Sequence, residues 1–247
     1  MDRVIWDTEW SEAIGGFYPP KYETDIIRLI DRQHLLSFSW KCIDRDSDGK
    51  IHFEGVNTQS EKQLVEKAWE LFNDTNIIIA HNGTKFDTPM IQTLFAFYGF
   101  GTPSPFKEAD TLLVARRQFK YSGGNSLEEL ARFFGIEGKV PHDKDLFWRC
   151  HNDHKHPDWK RLLKPYNMQD VDTLEKIYNK LLPWFPNHPN MNMFEGTVLN
   201  CKGCGSSNRH KRGLGAKING TFQLYRCSDC GTQMWGEKVE PYKIIGR

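Results

Sequence analysis

The sequence predicts an α/β domain with a mixed sheet flanked by helices, followed by a small C-terminal unit of different character. Three observations carry this. Strand-like runs come first, and from residue 60 helix and strand signals alternate, the pattern of a layered α/β sheet. PWFPNHPN (183–190), with three prolines in eight residues, then breaks the pattern. Beyond it the charge changes sign. Residues 1–196 carry 24 Lys and Arg against 29 Asp and Glu, and residues 197–247 carry nine against three, within a net charge of +1. The expected boundaries are 1–185 for the body, 186–196 for a linker and 197–247 for the tail.

The elements follow in order. VIWDTEW (4–10) is a first strand, and HLLSFSWKCI (34–43) and KIHFEGV (50–56) are two more, joined by the Asp-Gly turn chemistry of a hairpin. These three can form an antiparallel meander. Ser60 opens a helix, with Gln63 placed to complete a capping box. NIIIA (76–80) is a short buried strand, and a helix runs from about Asp87 with Pro89 tolerated in its first turn. EADTLLVARRQF (108–119) is helical or mixed. In NSLEELARFFGI, Ser126 and Glu129 stand in capping-box register and Gly135 is a stop. Residues 139–164 are expected to be irregular, and 165–182 to be a helix with Pro165 at its start.

With 247 residues, 38% hydrophobic and 13% aromatic, the chain is long and apolar enough for a real core. No apolar run approaches membrane-spanning length and the N-terminus lacks signal-peptide form, so the expectation is a cytoplasmic protein with no membrane partner. Four of the six cysteines form two CxxC pairs, which favours metal over disulfides.

Asp7 and Glu9 are two apart on the first strand and therefore share a face, with Thr8 opposite. Two such carboxylates repel unless a cation lies between them, although a solvent-facing stripe on an edge strand also fits. HNGTKFDTP places Asp87 just after a buried strand, where ligand sites of α/β sheets gather. In YNMQD, Tyr166 and Asp170 share a helix face, whereas Asp172 lies about 200° around the helix from Asp170 and is excluded.

DxE on a first strand, N-x-x-x-F-D from Asn82 to Asp87 and Y-x-x-x-D on a late helix resemble, in that order, the three exonuclease motifs of the DEDD superfamily, in its DEDDy branch. HNGTKFDTPMI and YNMQDVDTLEKIY look most like the family-B DNA polymerase proofreading version. The resemblance covers residues 4 to about 182 and implies a ribonuclease H-like fold. It also implies two Mg²⁺ or Mn²⁺ ions. Such ions, about 3.5–4 Å apart, generate a nucleophile at neutral pH and stabilise the leaving oxygen. By resemblance, Asp7 bridges both ions and Glu9 and Asp170 hold the one that carries the attacking water. Asp87 helps hold the second, through water or directly. Tyr166 orients the nucleophile. Asn82 and Phe86 lie against the substrate strand. Asp110 and the SLEELARFFGI helix read as scaffold, and Cys42 as a small buried hydrophobe. The run CHNDHKH (150–156) is too closely spaced for a closed tetrahedral site and reads as a solvated or nucleic-acid-facing loop.

In the tail, Cys201, Cys204, Cys227 and Cys230 form two pairs with Gly205 and Gly231 after them, the donor set of one closed zinc site. The module resembles a zinc ribbon. NGTFQLYRC supplies an Asn-Gly turn and an alternating strand. Its cations Arg209, Lys211, Arg212, Lys217 and Arg226 suit a polyanion, with Tyr225 and Phe222 near for stacking.

The expected function is a metal-dependent 3′–5′ exonuclease acting on single-stranded or frayed 3′ ends, DNA favoured over RNA, with a structural zinc ion. A polymerase or a replication or recombination partner in trans is an expected associate. The alternatives are an exoribonuclease of the ribonuclease D type, a ribonuclease H-fold endonuclease and a non-catalytic zinc-ribbon adaptor.

Overall fold

The computed structural model describes residues 3–16, 27–44, 47–137, 141, 143, 145–191 and 200–239. Strand β1 (Arg3–Trp10) lies at the centre of the main sheet, and its Val4, Ile5 and Trp6 are fully buried. Apolar side chains on both faces are what a strand covered by helices on both sides requires. β1 pairs antiparallel with β4 (Leu35–Cys42), which pairs antiparallel with β5 (His52–Gly55). This is the expected meander. On its other edge β1 pairs in parallel with β6 (Ile77–Ala80), and β6 with β7 (Lys107–Asp110), giving the order β5-β4-β1-β6-β7. A small hairpin, β2 (Ile14–Gly16) with β3 (Arg28–Asp31), is additional to the sequence-based expectation. Its strands are too short for a periodic signal.

The helices form two layers. α1 (Glu61–Asn73), α2 (Asp87–Phe97) and α5 (Leu146–Asn152) cover one face, where Trp6 meets Leu64, Phe72, Ile91 and Leu146. α3 (Thr111–Gln118), α4 (Leu127–Phe134) and α6 (Lys164–Leu181) cover the other, where Ile5, Ile77 and Ile79 meet Val114, Leu130, Leu174 and Ile177. Each such side chain, fully buried, contributes about 1.5–3 kcal/mol.

Most helix signals hold. Ser60 and Gln63 form the full capping box of α1. Ser126 caps α4 by accepting from Glu129 N, but the Glu129 carboxylate turns to Arg132, so the box is half made. The stretch expected to be irregular, 139–164, contains α5 and a π-helical turn, Trp159–Leu163, that runs into α6. α5 forms because Leu146 and Cys150, four apart, bury on one side. The helix is only seven residues long and is bounded by Asp145 and by the polar run from His151, which masked that pattern.

The C-terminal unit is a three-stranded antiparallel sheet, β10-β9-β8: β8 (Arg209–Lys217), β9 (Gly220–Cys227) and β10 (Gln233–Val239). Lys217 pairs with Gly220, so the hairpin loop is Ile218 and Asn219, one residue ahead of the Asn-Gly pair suggested by the sequence. Within the Pro-rich stretch, Phe185 and His188 bury against the body, as does Met191 just beyond it, and Thr232 Oγ1 of the C-terminal unit donates to Leu182 O at 3.3 Å. Residues 192–196 of the expected linker lie outside the described residues. Among the described residues, no helix is long and apolar enough to cross a membrane.

Candidate metal centre and nucleic-acid interface

β1 alternates its side chains across the sheet. Asp7 and Glu9 follow Ile5 onto the face covered by α6, while Thr8 follows Trp6 onto the face covered by α2. α6 answers with a divided surface. Its C-terminal half buries Leu174, Ile177 and Leu181 in the core, and its N-terminal half buries Tyr166, Asn167 and Asp170. Carboxylate oxygens of Asp7, Glu9 and Asp170 thereby come within 4.8 Å of one another, with Glu9 and Asp170 buried and Asp7 half-buried. At that separation and an effective dielectric constant of about 20, each ionised pair repels by about 3.5 kcal/mol. Three oxygen donors this close fit a hard divalent cation.

Asn167 organises the group. Ser39 and Ser37 on β4 stand opposite Asp7 and Glu9 in register, and both hydroxyls are fully buried. They donate to Asn167 Oδ1 at 2.9 and 3.3 Å. That fixes the amide, so its Nδ2 donates to Asp7 Oδ2 at 2.8 Å and to Asp7 O at 3.3 Å, with Glu9 Oε1 at 3.5 Å. Sequence reasoning missed Asn167. The signal was present in two places: an amide beside Tyr166, and small hydroxyl residues at alternate positions of SFS in β4.

Tyr166 packs edge-on against Phe147 and is 6% exposed. Burial, then the charges of Asp170, Glu9 and Asp7, push its phenol far above the ordinary range, and a hydrogen bond to Asp170 acts in the same direction. The hydroxyl therefore stays protonated at any working pH.

Asp87 stands apart from this group. It begins α2, on the opposite face of the sheet, and accepts from Thr8 Oγ1, which in turn accepts from Trp10 Nε1 at 2.8 Å. Burial, with a contribution from Asp110, raises its pKa to about 6. Asp110 is structural in its contacts: it caps α3 and accepts from Asn82 N at 3.0 Å and from Thr84 N at 3.3 Å. This holds Asn82 at φ 67°, a left-handed conformation that Asn tolerates. Asp172 faces away and pairs with Lys176 at 2.7 Å.

The acids open onto a cleft of about 450 Å³ lined also by His81, Asn82, Arg116 and Asn125. His81 is fixed by Thr111 Oγ1 and Asn125 O, each at 2.9 Å. Phe86, expected beside the substrate, is exposed and does not line this cleft. Arg116 is a cation on its wall that the sequence reading did not single out.

In the C-terminal unit the four cysteines bring their sulfurs within 4.8 Å of one another. Cys201 and Cys230 Sγ are 3.6 Å apart, and Cys204 and Cys227 Sγ 3.7 Å. The edge of a zinc-thiolate tetrahedron with 2.3 Å bonds is about 3.8 Å. The two knuckles repeat one hydrogen-bond pattern. Cys201 N donates to Ser206 O and Cys227 N to Thr232 O; Gly205 N donates to Cys201 O and Gly231 N to Cys227 O. Both glycines have positive φ, 73° and 76°, which a side chain would strain. The set fits a zinc ion.

β8 is an edge strand on which His210, Lys211, Arg212 and Lys217 are exposed, and Arg226 is exposed on β9. Arg209 lies over the Tyr225 ring at 4.2 Å, and the Tyr225 hydroxyl donates to Glu237. Tyr225 is thus buried and closed to stacking, contrary to expectation. The exposed aromatic is Trp235, with Lys217 over its ring at 4.2 Å and Phe222 edge-on beside it.

A five-stranded mixed sheet between helices, with acids gathered near the end of its central strand, defines an α/β domain whose acidic cluster is compatible with divalent cations. The chain belongs to the RNase H superfamily, whose family model matches residues 27–182, and this fold is typical of nucleases that use divalent metals. Among solved structures, it is similar to the family B DNA polymerase from the hyperthermophilic archaeon Pyrobaculum calidifontis, with a TM-score of 0.56 and 18% identity. The match covers 73% of this chain and 24% of the polymerase, and it speaks for the fold. No curated protein matches the sequence.

Proposed function

We propose that the chain is a metal-dependent 3′–5′ exonuclease of the DEDDy type whose C-terminal unit is a zinc ribbon that grips the substrate strand, with DNA preferred. The observation that carries this is the convergence of Asp7, Glu9 and Asp170 with the protonated Tyr166 at one end of the sheet. Asp7, Glu9 and Asp170 are the residues to hold Mg²⁺ or Mn²⁺, and Asp87, which accepts from Thr8 on the α2 side, would be the fourth carboxylate by resemblance, reaching a second ion through water. When bound, the ions supply an activated nucleophile and neutralise charge at the leaving oxygen.

The chain's own groups do the rest. Asn167 keeps Asp7 turned toward its partners. The Tyr166 hydroxyl donates beside Asp170 and orients the attacking water. Arg116, on the cleft wall, offers a charge to the backbone of the entering strand, with His81, Asn82 and Asn125 beside it. In the ribbon, Cys201, Cys204, Cys227 and Cys230 hold zinc, and Lys211, Arg212, Lys217 and Arg226 meet phosphates while Trp235 offers a stacking face. A polymerase or recombination partner in trans fits a nuclease of this kind.

The test uses 5′-labelled single-stranded DNA and matched RNA with Mg²⁺ or Mn²⁺. The expected result is a one-nucleotide ladder from the 3′ end, faster on DNA, and abolished by Asp7→Ala or Asp170→Asn with the fold retained. Identical digestion by wild type and both variants would overturn the assignment. Faster digestion of RNA would replace the substrate with the ribonuclease alternative.

A further inference from the structure

We propose that Asp31, His34 and His151 form a second transition-metal site, a two-histidine, one-carboxylate cage for Zn²⁺ or a similar borderline cation, that staples α5 to the start of β4. The three residues come from three places. Asp31 ends β3, His34 directly precedes β4, and His151 lies on α5. One donor atom from each falls within 4.8 Å of the others. Imidazole pairs with a carboxylate suit zinc and its neighbours rather than magnesium.

The distances bracket a coordination shell. His34 Nε2 is 3.0 Å from Asp31 Oδ1, and His151 Nε2 is 3.9 Å from Asp31 Oδ2. Donors around a tetrahedral zinc with 2.0–2.1 Å bonds sit about 3.3–3.4 Å apart. The two rings stack at 5.2 Å and 24°, so both Nε2 atoms converge on one carboxylate. As a simple ion pair the arrangement is poor. The gap of 3.9 Å is too long for a hydrogen bond, and His151 Nδ1 is buried with no hydrogen-bond partner.

The surroundings of His34 match what a ligating histidine requires, a carboxylate on its far nitrogen. Glu61 Oε2 is 3.4 Å from His34 Nδ1. Glu61 is itself held by Arg32 at 2.6 Å, the Tyr98 hydroxyl at 2.6 Å and Leu35 N at 2.9 Å. With a cation on Nε2, the proton of the ring would sit on Nδ1, where Glu61 stands to accept it. The backbone of His34 also pairs with Ser11, two residues beyond Glu9: His34 N donates to Ser11 Oγ at 2.8 Å and Ser11 N to His34 O at 2.9 Å. The staple therefore lies at the same end of β1 as the acids without sharing a residue with them.

Only His151 of the CHNDHKH run takes part. Cys150 is core, His154 sits edge-on to Trp159, and His156 accepts from Asp158 N. Spacing within the run could not reveal the site, because its other ligands are more than a hundred residues away.

The test is zinc content per chain of the full-length protein, measured by elemental analysis after equilibration with Zn²⁺ in excess Mg²⁺, together with the visible spectrum after Co²⁺ replacement. Wild type is expected to hold one more zinc ion than His151→Phe or Asp31→Asn. The Co²⁺ form of wild type should show bands free of thiolate charge transfer that both variants lack. Affinity at this site should fall at least tenfold in each variant. Asp31 is 42% exposed, so Asp31→Asn is the safer variant should His151→Phe fail to fold, which circular dichroism checks. Asp7→Ala should keep the extra zinc, which separates this site from the proposed catalytic one. Equal zinc content and equal Co²⁺ spectra in wild type and a folded Asp31→Asn would overturn the proposal.

Discussion

Asn167 is the most exacting place to perturb the candidate site, because it is fully buried and three polar neighbours depend on it. In Asn167→Leu the branched shape is kept, at somewhat larger volume, and the amide is lost. Asp7 then loses a 2.8 Å donor, and a hydrogen bond to a charged group is worth about 1.5–3 kcal/mol. Ser37 and Ser39 lose their shared acceptor, and a stranded buried hydroxyl costs about 1–3 kcal/mol. With two hydroxyls stranded, the expected loss of unfolding free energy is at least about 3.5 kcal/mol, read from urea denaturation without Mg²⁺. Asn167→Asp behaves differently. It keeps an acceptor for the serines but adds a fourth carboxylate beside Asp7, so its instability should be relieved by Mg²⁺ more than that of wild type. Digestion by Asn167→Leu at saturating Mg²⁺ should fall by about 10–100-fold, the usual consequence of removing a group that orients a metal ligand. Losses below 1 kcal/mol in both variants, with unchanged Mg²⁺ dependence, would refute the role given to this amide.

Other outcomes follow from the same structure. Replacing Lys211 and Arg212 with Ser should reduce the slope of log affinity against log salt by about 0.7 per lost phosphate contact on single strands; filter binding at several salt concentrations checks this. Cys227→Ser should release zinc and unfold β8–β10 while the body keeps its helical circular dichroism, since metal binding carries much of the folding energy of such modules. His188 is buried with its Nε2 accepting from Tyr178, and burial pushes its pKa down to about 4 from 6.5. Above pH 6.5 both folded and unfolded chains hold it neutral. As pH falls from 6.5 toward 4 only the unfolded chain gains the proton, so stability should drop by about 2–3 kcal/mol. Urea midpoints at pH 7.5 and 4.5 measure this, and in His188→Gln that share of the drop should vanish.

The sequence made legible whatever depends on local pattern. The meander, the IIIA strand, the Ser60 capping box and the α6 helix each rest on spacing within about fifteen residues. So do the pairing of Asp7 with Glu9 and that of Tyr166 with Asp170. What escaped depends on contacts across the chain. α5 was hidden because it is only seven residues long and lies between Asp145 and a polar run of His, Asn, Asp and Lys. Asn167 was overlooked because its value comes from Ser37 and Ser39, some 130 residues away. Asp87 illustrates a third case: its place at the head of α2 was readable, but its pairing with Thr8 follows from which face of β1 each helix covers.

Helix α6 joins the two ends of the molecule. Asp170 is in its first half, about two turns from its start, and its last turn leads directly into Leu182, the residue whose carbonyl receives Thr232 from the cysteine-bearing unit. From Asp170 to Leu182 the chain climbs twelve residues at 1.5 Å each, about 18 Å. A strand laid beside it at the B-form spacing of about 3.4 Å per phosphate would span about five phosphates. On the exonuclease reading the helix is thus a ruler, and oligonucleotides too short to reach from the acids to β8 would be cut without help from the basic strand.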